Sequence, residues 1–157
     1  MNVPESSLAD IKIQLYQHCI EFVDARIRAA TDAIHAAQAS ANDETKSSAG
    51  DKYETGRAMA QLEIEKNSAQ LADAQNLKRQ LASIRPSDNA GRVQAGSLVI
   101  TNQGFFYIAI AGGQATVQGE NYVVISPASP LAQKMQGLHT GDSFTLNQRK
   151  FEIRQVA

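Results

Sequence analysis

The apolar positions Ile13, Tyr16, Ile20, Val23, Ile27, Ala30, Ile34, Ala37 and Ala41 recur at alternating steps of three and four residues. That spacing predicts one long helix carrying the narrow seam of a coiled coil. Leu8, Ile11, Leu15 and Phe22 add a second apolar face near its start, so the base of this helix is expected to meet more than one neighbour. Ala60, Ile64, Asn67, Leu71, Ala74 and Leu81 follow the same spacing, and Leu62, Leu77 and Ile84 widen that second stripe. Between the two stripes lies the polar run 42–51. Two seams of small residues joined by a polar break predict an antiparallel helical hairpin over residues 1–84 with its tip at about 43–52. Arms of some 30 residues at ~1.5 Å per residue would reach about 45–50 Å. Asn67 inside the seam is expected to fix register at some cost in stability.

Beyond Ile84 the period changes. Arg85-Pro86 ends the helix, because proline forbids its continuation and restrains the residue before it, and residues 85–95 read as a linker. Residues 98–100, 105–110, 122–125, 144–146 and 151–156 read as short strands, with Asn102-Gln103-Gly104 and Asn147-Gln148-Arg149 as hairpin turns. Ala111-Gly112-Gly113 reads as a turn leading into a polar stretch. Ser129 as N-cap, Pro130 at the first helical position and Gly137 as terminator predict a short helix over 131–136. The expected fold class is α+β: a long helical hairpin, then a small antiparallel sheet domain over 96–157 with one short helix.

Composition is that of a folded soluble protein, and the formal net charge of −1 gives no whole-chain argument for binding nucleic acid or a membrane. The charge is uneven, with 9 Lys+Arg against 12 Asp+Glu in residues 1–84 and 6 against 4 in 85–157. No apolar run is long enough to span a bilayer and the start of the chain has no signal-peptide pattern, so a cytoplasmic location is expected. The single cysteine, Cys19, excludes an internal disulfide and sits among apolar neighbours as a packed residue.

The candidate chemistry is concentrated at the hairpin tip. Asp43 and Glu44 end the first arm and Asp51 opens the second, so an exposed loop displays three carboxylates. Set against a working tip are a solvated role for Asp43 and Glu44 and a capping role for Asp51 with Glu54. His18, His35 and His139 show no paired metal-ligand spacing, and no phosphate-cradling loop or nucleophile elbow is present. Phe105, Phe106 and Tyr107 are consecutive on a strand and must alternate between its faces.

Gly91-Arg92-Val93, Gly96-Ser97-Leu98-Val99, Ile125-Ser126-Pro127-Ala128-Ser129-Pro130-Leu131-Ala132, Gly137 and Gly141-Asp142 resemble, in order and spacing, the C-terminal domain of bacterial Gre transcript cleavage factors. That family joins an N-terminal coiled coil to a C-terminal domain of FKBP-like fold. The resemblance implies a factor that docks its globular domain on bacterial RNA polymerase and inserts the hairpin into the secondary channel. It implies no membrane or small-molecule partner, with RNA or DNA met only through the polymerase complex. Ser129, Pro130, Leu131 and Asp142 would then mark the docking domain. Asp43, Glu44 and Asp51 would offer oxygen ligands to a Mg²⁺ ion within the polymerase active site, the protein holding no cofactor alone and being no enzyme by itself.

The family's tip carries a pattern like Gly-Asp-Leu-x-Glu-Asn-Ala-Glu-Tyr. Matching its Tyr to Tyr53 places Lys46 and Ala49 where its two key acids stand. The alternative to stimulated cleavage is therefore a factor that occupies the channel without cutting. Further alternatives are a peptidyl-prolyl isomerase, suggested only by the FKBP-like fold, and a coiled coil that pairs with itself.

Overall fold

The computed structural model describes residues 5–44, 50–86 and 91–157. Two long helices open the chain, α1 (Glu5–Glu44) and α2 (Gly50–Ala82), followed by six strands and a third helix, α3 (Pro130–Met135). The described residues fall into two compact units. One holds residues 22–78, the distal part of both helices; the other holds the base of α1, up to Glu21, together with everything from Arg79 onward.

In the distal unit the seam runs as its period predicts. Val23, Ala30 and Ala37 are buried on α1, with Ile27 and Ile34 half-buried between them; Ala60, Asn67 and Ala74 are buried on α2. The helices are antiparallel: Lys78 Nζ meets Asp24 Oδ1 at 2.9 Å, and Ala37 and Ala60 line one groove. Alanine at the facing positions lets the backbones approach closely. Leu62, read as widening the stripe, is instead 58% exposed. It lies two residues after the seam position Ala60, about 200° around the helix.

At the base of α1 the expected seam gives way. Ile13 is 51% exposed, while Leu8, Ile11, Leu15 and Cys19 are buried. The second apolar face has become the main one there, because this stretch belongs to the compact unit that contains the sheet. Tyr16 stays on the α2 side, its hydroxyl donating to the Leu81 carbonyl at 2.8 Å.

The strands are β1 (Leu98–Thr101), β2 (Gly104–Ile108), β3 (Gly113–Val117), β4 (Glu120–Ile125), β5 (Ser143–Leu146) and β6 (Arg149–Val156), in the order β3-β4-β2-β1-β6-β5. The sheet is mixed, not antiparallel throughout as the sequence suggested. β2 and β4 run parallel, Phe106 opposite Val123 and Ile108 opposite Ile125. Parallel neighbours need a long crossover, and here β3 supplies it. The chain passes the end of β4 through residues 109–112, returns along its outer edge and turns back at Gln118 and Gly119, both at positive φ. Gly112 makes the close passage, since a Cβ there would lie 3.0 Å from Val124 Cγ1. β3 falls in the segment read as turn and polar stretch; only Ala115 and Val117 are buried along it.

Both predicted hairpin turns form. Thr101 pairs with Gly104 across Asn102-Gln103, and Leu146 pairs with Arg149 across Asn147-Gln148, both at positive φ as the primed turns require. Where β1 and β6 shift register beside Thr101, the Asn102 side chain continues the ladder. Its Nδ2 donates to the Lys150 carbonyl at 3.1 Å and its Oδ1 accepts from Glu152 N–H at 2.7 Å.

One sheet face builds the core with α3: Val99, Phe106, Ile108, Phe151 and Ile153 pack with Val93, Ala132 and Met135. Val93, within the 85–95 segment, is fully buried and exchanges backbone hydrogen bonds with Leu138 and Gly137. The other face carries Leu98, Ile100 and Tyr107, all buried, with Phe105 against Tyr122 at 5.5 Å between ring centroids. Tyr107 is close enough to Cys19 and Tyr16 for its ionisation to feel both, which places the base of α1 over this face.

Candidate partner-binding surfaces

The tip acids come from the adjoining ends of the two long helices. Asp43 is exposed in the last turn of α1 and Glu44 is its final residue. Asp51 lies inside α2, whose first residue is Gly50. The side chains of Glu44 and Asp51, and residues 45–49 between the helices, lie outside the described residues. Among the described residues no group of three or more His, Cys, Asp or Glu is arranged to hold a metal ion. Asp43 offers hard carboxylate oxygen, the ligand type that Mg²⁺ prefers.

The residues expected to mark docking have distinct local roles. Ser129 caps α3: its Oγ accepts from Ala132 N–H at 3.2 Å, and Pro130 follows with its fixed φ at the first helical position. Asp142 closes a turn, its Oδ2 accepting from His139 N–H at 2.7 Å and standing 3.7 Å from His139 Nδ1. Of the four, Leu131 is the one that joins the core. It is half-buried and packs on the core, as do Val123, Ile125, Leu138, Phe144, Leu146 and Val156. Phe144 stacks on Phe151 with centroids 4.9 Å apart and planes within 3°. The structure thus brings Leu131 and Phe144 to one core, with α3 held by its cap above the sheet.

Two buried groups lie between the base of α1 and the opposite face of the sheet: Cys19, read from the sequence as a packed residue, and the Tyr107 hydroxyl, which sequence reasoning did not single out. The Tyr107 hydroxyl is buried without a hydrogen-bond partner among the described residues, and burial pushes its pKa up, with Cys19 and then Tyr16 adding to the shift. Burial likewise pushes the Cys19 thiol up to about 12. A thiol held protonated is a poor nucleophile, so Cys19 is a packing residue. The available signal was three consecutive aromatic residues, one of which had to face the helix side.

No family model matches the chain, and no curated protein matches it. Among solved structures, one described as the structure of the transcription factor Gfh1 is similar to 87% of this chain and 91% of its own, at 17% identity and a TM-score of 0.34. No helix among the described residues is long and apolar enough to cross a membrane.

Proposed function

We propose that the protein is a Gre-like factor that binds the secondary channel of bacterial RNA polymerase and modulates its active site through the hairpin tip. The observation that carries this reading is the distal unit: two antiparallel helices with an alanine seam at Ala30, Ala37, Ala60 and Ala74, leading toward Asp43, Glu44 and Asp51. Small seam residues keep a hairpin thin, and thinness matters for an element that enters a channel. The run 125–132, which resembles the family's docking domain, supports the reading by forming a capped helix with Leu131 packed on the core.

Within the polymerase, a Mg²⁺ ion would stabilise the attacking and leaving oxygens of RNA cleavage. Asp43, Glu44 and Asp51 would contribute carboxylate oxygens toward that ion. The second reading is occupation of the channel without cleavage, favoured by Lys46 and Ala49 at the positions where the resembling family has acids.

Stalled, backtracked elongation complexes of the cognate polymerase decide between them. RNA shortening that disappears with Asp43→Asn, Glu44→Gln or Asp51→Asn establishes cleavage. Inhibition without shortening establishes the second reading, and no binding to polymerase overturns both.

A further inference from the structure

The two compact units are held by different side chains. Among the described residues, the largest fully buried ones, including Leu8, Leu15, Leu81, Ile100, Ile108 and Ile153, all lie outside residues 22–78. Within 22–78 the buried apolar residues are Val23, Ala30, Ala37, Ala60 and Ala74, while the larger seam residues Ile27, Ile34, Ile64 and Leu71 are only half-buried. An alanine methyl takes much less apolar area out of water than a leucine or isoleucine side chain, so each turn of this seam contributes little. Gaps of about 380 Å³ beside Ala30 and Asn67 and about 500 Å³ beside Ala37 and Ala60 remain between the facing side chains. Dispersion contacts are lost wherever such a gap is left.

Polar groups do not make up the difference. Asn67 is buried in the seam, yet its hydrogen bonds run to Glu63, one turn back on the same helix, at 2.8 and 3.4 Å. The ion pair of Lys78 with Asp24, which joins the arms at 2.9 Å, is 54% and 34% exposed, in the class of surface pairs that add little. Each arm is a single helix, and a helix in water draws most of its stability from the face it packs. Parting the seam therefore removes the main support of both arms together.

We propose that residues 22–78 open and close as one cooperative segment while the unit that holds the sheet stays folded, and that bound polymerase holds the segment closed. The arms that carry Asp43 and Asp51 are then brought together by a local equilibrium and not by the global fold. Thinness and weak closure have one cause: side chains small enough to keep the hairpin slender bury too little to lock it. A partner that binds the closed form shifts this equilibrium by mass action, so the arms become fixed where the tip is used. The closing step rests on the polymerase reading; the opening does not.

Hydrogen exchange of the isotopically labelled full chain, resolved by residue and repeated across sub-denaturing urea, tests the opening without polymerase. Amides of residues 27–34 and 64–71 should converge on one opening constant, about tenfold or more above that of the β1, β2 and β6 amides. Ile34→Ala should raise the distal constant about tenfold, Asn67→Leu should lower it, and neither should move exchange in the sheet. One constant shared by both units, different constants for the two arms, or variants that shift both units equally overturn the opening. Adding the cognate polymerase should slow exchange in the distal segment at least about tenfold, the shift expected when bound chain exceeds free chain by that factor; binding that leaves distal exchange unchanged overturns the closing step. If the distal segment opens as described and the chain does not bind polymerase, the polymerase reading falls and the opening stands. Uniform protection in a chain that does bind polymerase overturns the opening and leaves that reading in place.

Discussion

Replacing Tyr107 by phenylalanine should stabilise the protein. The Tyr107 side chain is fully buried, and its hydroxyl has no hydrogen-bond partner among the described residues. A buried polar group left unpaired carries a desolvation cost of about 1–3 kcal/mol, which Tyr107→Phe removes. Against this stands the loss of one oxygen's dispersion contacts at ~0.1–0.2 kcal/mol each, together under ~1 kcal/mol. The net gain is on the order of 1 kcal/mol, a rise of roughly 2–4 °C in melting temperature for a chain of this length. Tyr16→Phe is the matched control. Its hydroxyl donates to Leu81 O at 2.8 Å, so the same atomic deletion should cost about 0.5–1.5 kcal/mol. Thermal and urea unfolding followed by circular dichroism read both variants. A Tyr107→Phe protein that melts lower than the parent, or a pair of variants that shift together, refutes the reasoning. A spectrophotometric titration gives a second readout: burial, Cys19 and Tyr16 all push Tyr107 ionisation up, so the last tyrosine to ionise should vanish in Tyr107→Phe.

Stability should also fall at high pH in a way that depends on Cys19. In the unfolded chain the thiol ionises near ~8.5, whereas burial pushes it up to about 12 in the fold; the unfolded state loses its proton first, so this contribution is complete below the unfolded value and is lost progressively up to the folded one. Urea midpoints of Cys19→Ala should be flatter than those of the parent between those limits, and parallel curves would count against the assignment. Gly96→Ala should destabilise by about 1–3 kcal/mol, because Gly96 sits at φ +90° and an added Cβ would lie 2.8 Å from Ile84 Cγ2; thermal unfolding checks it, and an unchanged melting temperature would mean that Ile84 yields freely. Ser129→Ala should lower stability by about 1 kcal/mol through loss of the α3 cap, with Ser129→Asp restoring most of it; equal stability of all three would remove the capping role.

What could be read in advance follows how local each determinant is. The distal seam was legible because positions such as Ala30, Ala37, Ala60 and Ala74 face a partner helix of the same period, and a step of three and four fixes the buried stripe. At the base of α1 the same rule chose the wrong face at Ile13, since the competing neighbour is a sheet contributed by residues some 90 positions later, invisible to periodicity. β3 escaped for a related reason. Gly113-Gln114-Ala115-Thr116-Val117 has two buried side chains and lies at the sheet edge with β4 as its neighbour, so its strand character comes from pairing with β4. The parallel β2–β4 contact then follows from β3's place on the outside.

The candidate sites divide in the same way. Ser129 and Pro130 were legible as a helix start because a cap is set by its neighbours within three residues. Asp142 was read through resemblance as a docking residue; its turn role, holding His139 N–H at 2.7 Å, was not read. The signal for that turn, an aspartate three after histidine and directly after a glycine at positive φ, is short and common. Asn67 was legible as an anomaly, a polar residue in an apolar seam, and register was the natural explanation. Its geometry shows what a sequence cannot: the Nδ2 bonds to Glu63 stay within α2 and so specify nothing about α1. A register device would have bonded across the seam. Asn67→Leu should therefore raise the stability of the distal helices, because it replaces a buried carboxamide bonded only within its own helix by an apolar seam residue; a loss of stability in thermal unfolding would return Asn67 to a register role.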